Sequence, residues 1–362
     1  MLFKNNILGF IPEQDWLTVG FDVTRQNDPI DGLFGDERTD NLVAYWQSIA
    51  SEYKIPVMAQ FHGFDTEAQK TFRVPVDTHN IEKGLIKVKQ NQSERLRAIT
   101  RTGVQGDDAI YEYVMNDGLR LADQVVTRTK VAKNELLATG KVTIKENNLD
   151  LTVDFGVPAA NLALTLDFGA GATHDIPTQI QTIIDNAADD GITLTGMVLP
   201  RSVLTKLRQN EAVQTAINGT IGAGSLVRRT ALEAYLSDEF GLNTIITNDL
   251  TYATPNGFDA NGRPKVVQHR YFPIDKVSFF STNNSGRIGT GLWGDPPEVD
   301  AVVNTGFSGG VAASTASPFV YISQWTEKDP AVLWTKASAL FMPVLYDPQS
   351  LFVATVTENV GG

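Results

Sequence analysis

The sequence predicts an α+β protein, and three stretches of the chain carry that prediction. Residues 107–140 show the apolar spacing of one long helix. Residues 141–155, directly after it, alternate apolar and polar side chains on both sides of Asn147-Asn148, as the strands of a hairpin do. Residues 177–281 alternate between short helical and strand-like segments, which is typical of an α/β unit.

The predicted helix from Asp107 to Gly140 organises the rest of the chain. Its apolar residues lie four and seven residues apart, which places them along one side of the helix: Ile110, Val114, Leu121, Val125, Ala132 and Leu136. Arg128, Lys130 and Lys133 gather toward its end, which suits the helix dipole, and Gly140 is placed for a left-handed cap. A rod of about 50 Å with a narrow apolar stripe needs other elements packed along it.

Composition excludes several kinds of function. The chain of 362 residues has no cysteine, which rules out disulfides, thiolate catalysis and Cys-ligated zinc, and fits a reducing cytoplasm. Its first residues are too mixed for a signal peptide, and no apolar run reaches the ~18 residues of a membrane span, so we expect no membrane association. The formal net charge of −12 disfavours general DNA binding, because phosphate contacts need clustered Lys and Arg.

Residues 1–55 are interpreted as an arm, with helical spacing only at Thr39–Tyr53. Within it, Asp28–Asp40 contains one base, Arg38, and five acids: Asp28, Asp31, Asp36, Glu37 and Asp40. This acidic segment is either a solvated loop or an acidic contact surface.

Residues 56–105 are expected to form an extended hairpin. Strand-like stretches occur at Ile55–Gln60, Lys70–Val76 and Gly84–Gln90. Six bases follow one another closely in its second half: Lys83, Lys87, Lys89, Arg95, Arg97 and Arg101. These bases are either solvated or meet the acidic arm of a neighbouring subunit, which sets register more than affinity.

The second half of the chain begins with a Gly- and Ala-rich stretch, 156–175, interpreted as a hinge or loop. Helices are then expected at Pro177–Asp190, Arg201–Asn218 and Arg229–Phe240, and strands at Thr193–Leu199, Thr244–Thr247 and Val277–Ser281. Residues 218–227 and 302–317 are interpreted as loops, and residues 256–264 as a turn region. Three strand-like segments close the chain and are expected to return to the sheet beside the long helix: Pro318–Gln324, Leu333–Met342 and Leu351–Thr357.

Three short motifs known from enzymes and nucleotide-binding proteins occur, and each lacks a residue or element that its function requires. Gly306–Gly310 fits G-x-S-x-G, but no histidine follows Ser308 to act as base. Gly289–Gly294 fits G-x-G-x-x-G, but Pro296-Pro297 follows where a helix must open. Residues 138–143 resemble a P-loop end without its first glycine and hydroxyl. No histidine lies within four residues of another, so we expect no catalytic, cofactor-binding or metal-binding residues and no enzyme activity.

Three stretches carry a family resemblance: Asn134–Asp154, Tyr271–Glu298, and the tail with Trp325, Asp329-Pro330 and Pro343–Leu345. Together with the order of parts along the chain, they resemble tailed-bacteriophage major capsid proteins of the Hong Kong 97-type fold. The resemblance is closer to the lambda-type capsid protein E family. It implies an N-terminal arm (1–55), an extended loop (56–105), a peripheral domain with the spine helix (106–155), an axial domain (156–303) and returning C-terminal strands (304–362).

The resemblance implies a major capsid protein that assembles into hexamers and pentamers of an icosahedral shell around double-stranded DNA. Implied partners are further copies of the chain, a portal protein, packaged DNA bound without sequence specificity and, as an optional addition, a decoration protein. Because Met1 leads straight into the arm, we expect the scaffolding protein to be separate. The implied location is the virion capsid, assembled in the bacterial cytoplasm.

Several alternatives stay open at the level of sequence. They are an encapsulin-like compartment of host origin, a serine hydrolase using Ser308, and another structural phage protein such as a tail component. Eight residues are the predicted assembly contacts: Lys83, Lys87, Lys89, Arg95, Arg97, Asp36, Glu37 and Trp293.

Overall fold

The structure, a computed structural model, describes residues 28–48, 58, 73, 77–92, 107–146, 149–169, 175–219, 224–258, 264–283, 285–298, 319–327, 329 and 332–357. Helices in these ranges are α1 (Asp107–Thr139), α2 (Ala159–Leu162), α3 (Ile176–Asp189), α4 (Arg201–Gln209), α5 (Glu211–Asn218) and α6 (Arg229–Phe240). The first eight strands are β1 (Phe34–Arg38), β2 (Val43–Ser48), β3 (Asp77–Glu82), β4 (Gly84–Gln92), β5 (Lys141–Glu146), β6 (Leu149–Asp154), β7 (Leu164–Asp167) and β8 (Gly196–Leu199). The others are β9 (Thr244–Thr247), β10 (Thr251–Phe258), β11 (Pro264–Arg270), β12 (Lys276–Phe280), β13 (Gly289–Gly294), β14 (Tyr321–Thr326), β15 (Leu333–Leu345) and β16 (Leu351–Thr357).

Helix α1 confirms the long-helix prediction and is 33 residues long. Gly140 ends it with a φ of 69°, and its N–H donates to the carbonyl of Leu136 at 2.8 Å. Near its end, α1 is also buried on faces outside the apolar stripe that the sequence predicted. Lys130, Lys133 and Asn134 are at most 4% exposed, so polar side chains are buried beside Leu137.

The first sheet lies along α1 and supplies the packing partner that the sequence required. Its strand order is β1, β13, β15 and β14, and β4 pairs with the other edge of β15. Leu121 and Val125 of α1 share one hydrophobic core with Ala337 and Phe341 of β15. Strands β14 and β15 therefore confirm that the tail returns to the sheet beside the long helix.

Strand β13 accounts for the G-x-G-x-x-G pattern without a nucleotide. An added Cβ at Gly289 would lie 2.3 Å from the carbonyl oxygen of Val344, and one at Gly291 would lie 2.8 Å from the ring of Phe341. The glycines thus allow neighbouring strands and rings to approach closely. The motif itself lies within strand β13, and helical residues follow at Pro297 and Glu298.

The second sheet has the strand order β7, β16, β12, β8 and β9. Strand β16 pairs with β12 and β7 here, so the prediction that it joins the sheet beside α1 is wrong. The physical reason is its continuous apolar run, since a strand covered on both faces needs no polar alternation. Phe352 faces the core that includes α3, α4 and α6, and Val353 faces the core around α1.

The second sheet is shared by two cores because successive side chains of a strand point to opposite faces. Met197 and Phe279 pack in the core that includes α3, α4 and α6, whereas Val198 and Phe280 pack in the core of α1. On the latter face, the hydroxyl of Ser278 donates to the carbonyl of Leu137 at 2.6 Å. A direct hydrogen bond therefore joins β12 to the end of α1.

Two further sequence-based interpretations are corrected by the structure. Residues 43–48 within the predicted helix Thr39–Tyr53 form strand β2, which pairs with β3. Ala44 and Trp46 are buried and Tyr45 between them is 59% exposed, a period of two and not of 3.6. The stretch 156–175, interpreted as a hinge or loop, contains α2 and β7, because β7 pairs in parallel with β16 and buries Leu166.

The other predicted elements are confirmed to within a few residues where the structure describes them. They are the hairpin β5–β6, helices α3, α4, α5 and α6, and strands β4, β8, β9 and β12. Strands β10 and β11 were missed, and both extend into the predicted turn region 256–264. Ile55–Gln60 and Lys70–Val76, apart from residues 58 and 73, lie outside the described residues, as do 302–317 and Ser308. The division into arm, loop, peripheral and axial domains stays a prediction.

Within the described ranges, no helix combines the length and hydropathy needed to cross a membrane. The same part of the chain contains no group of three His, Cys, Asp or Glu side chains that could hold a metal ion.

Candidate assembly contacts

Three acids of the segment 28–40, Asp28, Asp31 and Asp36, contact other parts of their own chain, whereas Glu37 and Asp40 are exposed. Asp28 is 2% exposed, and its carboxylate accepts hydrogen bonds from the side-chain amides of Asn134 (2.8 Å) and Asn248 (3.1 Å). Asn248 also donates to the amide oxygen of Asn134 at 2.8 Å. We call Asp28, Asn134 and Asn248 the polar junction. It joins the N-terminal segment, helix α1 and the residue after β9.

Burial raises the pKa of Asp28, whereas hydrogen bonds from the backbone N–H of Ile30 and from Asn134 lower it. Asn134 also donates to the carbonyl of Lys130 at 2.9 Å. Asn248 accepts from the backbone N–H of Leu250 at 3.1 Å. Each side chain of the junction thus has several partners, as buried polar groups require.

Lys133 of α1 binds two acids of the same segment. Its ammonium lies 3.1 Å from the nearest carboxylate oxygen of Asp31 and 3.1 Å from that of Asp36. The indole N–H of Trp293 donates to Asp36 at 3.0 Å, and Lys130 lies 3.8 Å from Asp31. The two lysines precede the last turn of α1, and buried ion pairing with these acids, not the helix dipole, accounts for them.

Lys83 is a structural cation inside the chain. It is 3% exposed, and its ammonium donates to the carbonyl of Thr39 at 2.8 Å and to the carbonyl of Trp293 at 3.0 Å. Burial lowers its pKa, against the opposing effect of Asp40 and Asp295. Lys83 thereby fixes the start of β4 to the N-terminal segment and to β13.

Lys87 and Lys89 lie on β4 and are more exposed than Lys83. The ammonium of Lys87, whose side chain is 46% exposed, lies 3.3 Å from the carboxylate of Glu298. The ammonium of Lys336 also donates a hydrogen bond to the carboxylate of Glu298. Burial alone would raise the pKa of Glu298, but the interactions with Lys336 and Lys87 help to lower it below its ordinary value. The ammonium of Lys89 lies 4.3 Å from the ring centroid of Trp334.

The remaining predicted contacts differ in accessibility. Trp293 is 1% exposed and packs against Phe341, with ring centroids 4.7 Å apart. Glu37 is exposed on β1. Arg95 and Arg97 lie outside the described residues. The structure thus brings Asp36, Lys83 and Trp293 together inside one chain, and contacts of any of the eight residues with another subunit stay a prediction.

Sequence reasoning missed the polar junction and the burial of Lys133. One signal was available: Lys130, Lys133, Asn134 and Leu137 follow the spacing of a single helix face. A face that combines lysines with a leucine suggests a buried stripe whose charges need acidic partners. The segment 28–40 supplies those acids, but only the fold shows that they reach α1.

A model of the family phage major capsid protein E matches residues 71–356 of this chain. That range includes α1 and nearly all of both sheets. A search among curated proteins found no match.

Solved structures share the fold at low sequence identity. A prophage capsid protein from E. coli CFT073 has a TM-score of 0.55 and 14% identity, covering 97% of this chain and 99% of that chain. A phage-related protein from Bordetella bronchiseptica RB50 has a TM-score of 0.52 and 10% identity, covering 94% and 95%. A protein of Mycobacterium phage Cain has a TM-score of 0.50 and 10% identity, covering 95% and 94%. The expected Hong Kong 97-type capsid fold is confirmed.

Proposed function

Since this chain belongs to the phage major capsid protein E family, we propose that its copies form hexamers and pentamers of an icosahedral shell around double-stranded DNA. As a member of that family it is a self-assembling structural protein of a tailed-phage capsid, not an enzyme, and its place is the virion capsid. The observation that carries the proposal is the family match from residue 71 to residue 356.

The alternatives have less support. The family match favours a phage shell over an encapsulin-like compartment or a tail component. A hydrolase using Ser308 lacks a histidine later in the chain to serve as base.

Further partners belong to the same proposal. A separate scaffolding protein guides assembly in the host cytoplasm, a portal protein occupies one vertex, and a decoration protein is an optional addition. Packaged DNA is enclosed without sequence-specific binding. The formal net charge of −12 supports this, since an acidic wall repels the phosphate backbone.

The proposed contacts between subunits are the accessible charges Glu37, Lys87 and Lys89, together with Arg95 and Arg97. Asp36, Lys83 and Trp293 contribute indirectly, by fixing β1, β4 and β13 within each subunit. Many modest contacts repeated by symmetry are sufficient to close a shell.

The first test is electron microscopy of negatively stained protein expressed with and without its neighbouring genes. Closed shells of uniform diameter are the expected result. Cargo enzyme inside the particles would instead indicate a compartment. Monomers at high concentration, with or without the neighbouring genes, would contradict shell formation.

The second test replaces both Lys87 and Lys89 with Glu, which reverses their charges. We expect soluble subunits and no shells, because the variant repels the acidic surface of an adjacent subunit. Lys87→Glu also faces Glu298 of its own chain, so thermal unfolding must show that the subunit is folded. The matched control replaces Arg201 on α4 and Arg229 on α6, whose side chains are 82% and 53% exposed, with Glu and should leave assembly intact. Normal shells from the Lys87/Lys89 variant would refute these contacts.

A further inference from the structure

Strands β10 and β11 form a two-stranded ribbon that carries exposed apolar side chains. The ribbon runs from the pair Thr251 and Arg270 to the pair Phe258 and Pro264, and neither strand pairs with another strand in the described part of the chain. An isolated two-stranded hairpin is at best marginally stable in water. The ribbon therefore needs packing partners beyond its own hydrogen bonds.

The root of the ribbon has such partners. The ring of Tyr252 stacks on His269 at 5.3 Å and packs against Tyr271 at 5.1 Å. Burial raises the pKa of Tyr252, and Glu135 and Glu146 raise it further against the effect of Arg128. The root is thus anchored by Tyr271, which is 6% exposed.

Two apolar side chains near the far end of the described ribbon are exposed. Phe258 is 73% exposed and Val266 is 67% exposed, and they share one face, because Phe258 pairs with Pro264, two residues before Val266. We call these two residues the ribbon tip. Exposed apolar side chains on one face mark interaction surfaces.

A cleft of matching character lies between β4, α1 and the β5–β6 hairpin. Its lining includes Leu85, Ile86, Ala132, Ile144, Leu149 and Pro343, and its volume is about 140 Å³. Leu149 and Leu85 at the cleft are 61% and 39% exposed. A protein cavity of about 150 Å³ lined by apolar side chains is able to hold a benzene molecule, so a phenyl ring fits this volume.

Charges around the cleft are paired within the chain. Arg128 lies 2.9 Å from Glu146, and Lys87 pairs with Glu298 at 3.3 Å. The surface left to a partner is therefore mainly the apolar lining. The ribbon tip of the same chain does not fill it, since Phe258 is 73% exposed.

We propose that the ribbon tip of one copy inserts Phe258 into this cleft on a second copy of the chain. The inference rests on the shell assembly described above. A second copy is the occupant because every subunit of a shell presents both an uncovered apolar tip and an uncovered apolar cleft. Tip and cleft are different surfaces, so the contact is heterologous, and repetition about a rotation axis closes a ring.

Because the chain has no cysteine, a thiol-specific crosslinker reacts only with cysteines that are introduced. The variant Phe258→Cys with Leu149→Cys is assembled into shells and treated with a short bifunctional maleimide, whose two rings each add one thiolate. We expect a ladder of covalently linked chains from shells and none from free subunits. The control, Phe258→Cys with Leu226→Cys, uses a leucine that is 55% exposed and outside the cleft, and should give no ladder.

A second measurement uses the dependence of shell yield on protein concentration. Phe258→Asp should raise the concentration required for assembly on the order of tenfold or more, because a carboxylate cannot enter the apolar cleft. Phe258→Leu and the control Leu226→Asp should assemble near the concentration of the unchanged protein. Equal thermal unfolding of the free subunits shows that the ribbon substitution leaves the fold intact.

The two proposals fail in different ways. Unchanged protein that forms no shells under any condition contradicts the proposed function itself. Shells that give no ladder from the Phe258/Leu149 pair, or as much ladder from the Phe258/Leu226 control, overturn the docking while leaving the shell in place. Assembly of Phe258→Asp at the unchanged concentration overturns it as well.

Discussion

The acidic segment 28–40 and the basic strand β4 each carry a cluster of charges of one sign. The structure buries part of the acidic cluster and leaves the lysines of β4 exposed. Asp28 is 2% exposed and Lys133, which binds the acids, is 3% exposed. On β4, the side chain of Lys87 remains 46% exposed. The difference shows that a cluster of like charge in a sequence does not reveal whether its partners belong to the same chain.

The cause lies in what each segment packs against. Asp28, Asp31 and Asp36 lie along the buried end of α1, where Asn134 and Lys133 offer donors in an environment of low dielectric constant. Strand β4 is hydrogen-bonded to β15, and its odd-numbered side chains from Leu85 to Asn91 face outward. Interior charges hold the subunit together, and outward charges are available for a neighbour.

The largest expected difference between the two regions is in the free energy of unfolding when an Asn→Leu substitution is made in each. Asn134→Leu should lower the free energy of unfolding by about 3 kcal/mol, because Asp28 and Asn248 lose hydrogen-bond partners while buried. The same change at the exposed Asn91 on β4 should alter it by no more than about 0.5 kcal/mol. Urea unfolding of free subunits measures both. Equal losses at the two positions would show that the junction contributes nothing special.

A smaller contrast is expected for lysines. Lys133→Met should lower the free energy of unfolding by about 2 kcal/mol, less than for a fully buried pair because solvent reaches the side chains of Asp31 and Asp36, which are 31% and 23% exposed.

Lys87→Met should change the free energy of unfolding by less than about 0.5 kcal/mol, since surface ion pairs contribute little, and should act instead on assembly. Thermal unfolding and shell yield, measured on both lysine variants, separate the two effects. A Lys87 variant that unfolds as readily as the Lys133 variant would contradict the assignment of β4 to the surface.

The smallest expected effect is on the pH dependence of stability, in which Asp28 and Glu298 should act in opposite directions. The pKa of Asp28 is raised in the folded state, so the fold binds this proton more tightly and gains stability as pH falls from the raised pKa toward the ordinary 3.8. The pKa of Glu298 is lowered, so its stabilisation is complete above the ordinary 4.5 and is lost as pH falls through the lowered pKa.

Comparison with Asp28→Asn and Glu298→Gln isolates these contributions. On acidification, the unchanged protein should gain stability relative to Asp28→Asn and lose stability relative to Glu298→Gln. Each difference should be smaller than the effects of the substitutions above, because hydrogen bonds from Ile30 and Asn134 oppose the effect of burial on Asp28 and solvent screens Glu298. Urea unfolding between roughly pH 3 and 6 measures both slopes. Slopes of the same sign would contradict the assigned directions.

Local signals in the sequence determined α1 with its Gly140 cap, the β5–β6 hairpin, helices α3 to α6 and the lack of a catalytic motif, because periodicity and capping act between residues close in the chain. Only the tertiary structure decided that residues 43–48 form a strand, that β16 joins the second sheet and that Lys133 meets Asp36. Lys133 and Asp36 are 97 positions apart, and a pattern along the chain carries no record of which distant partner will cover a charge.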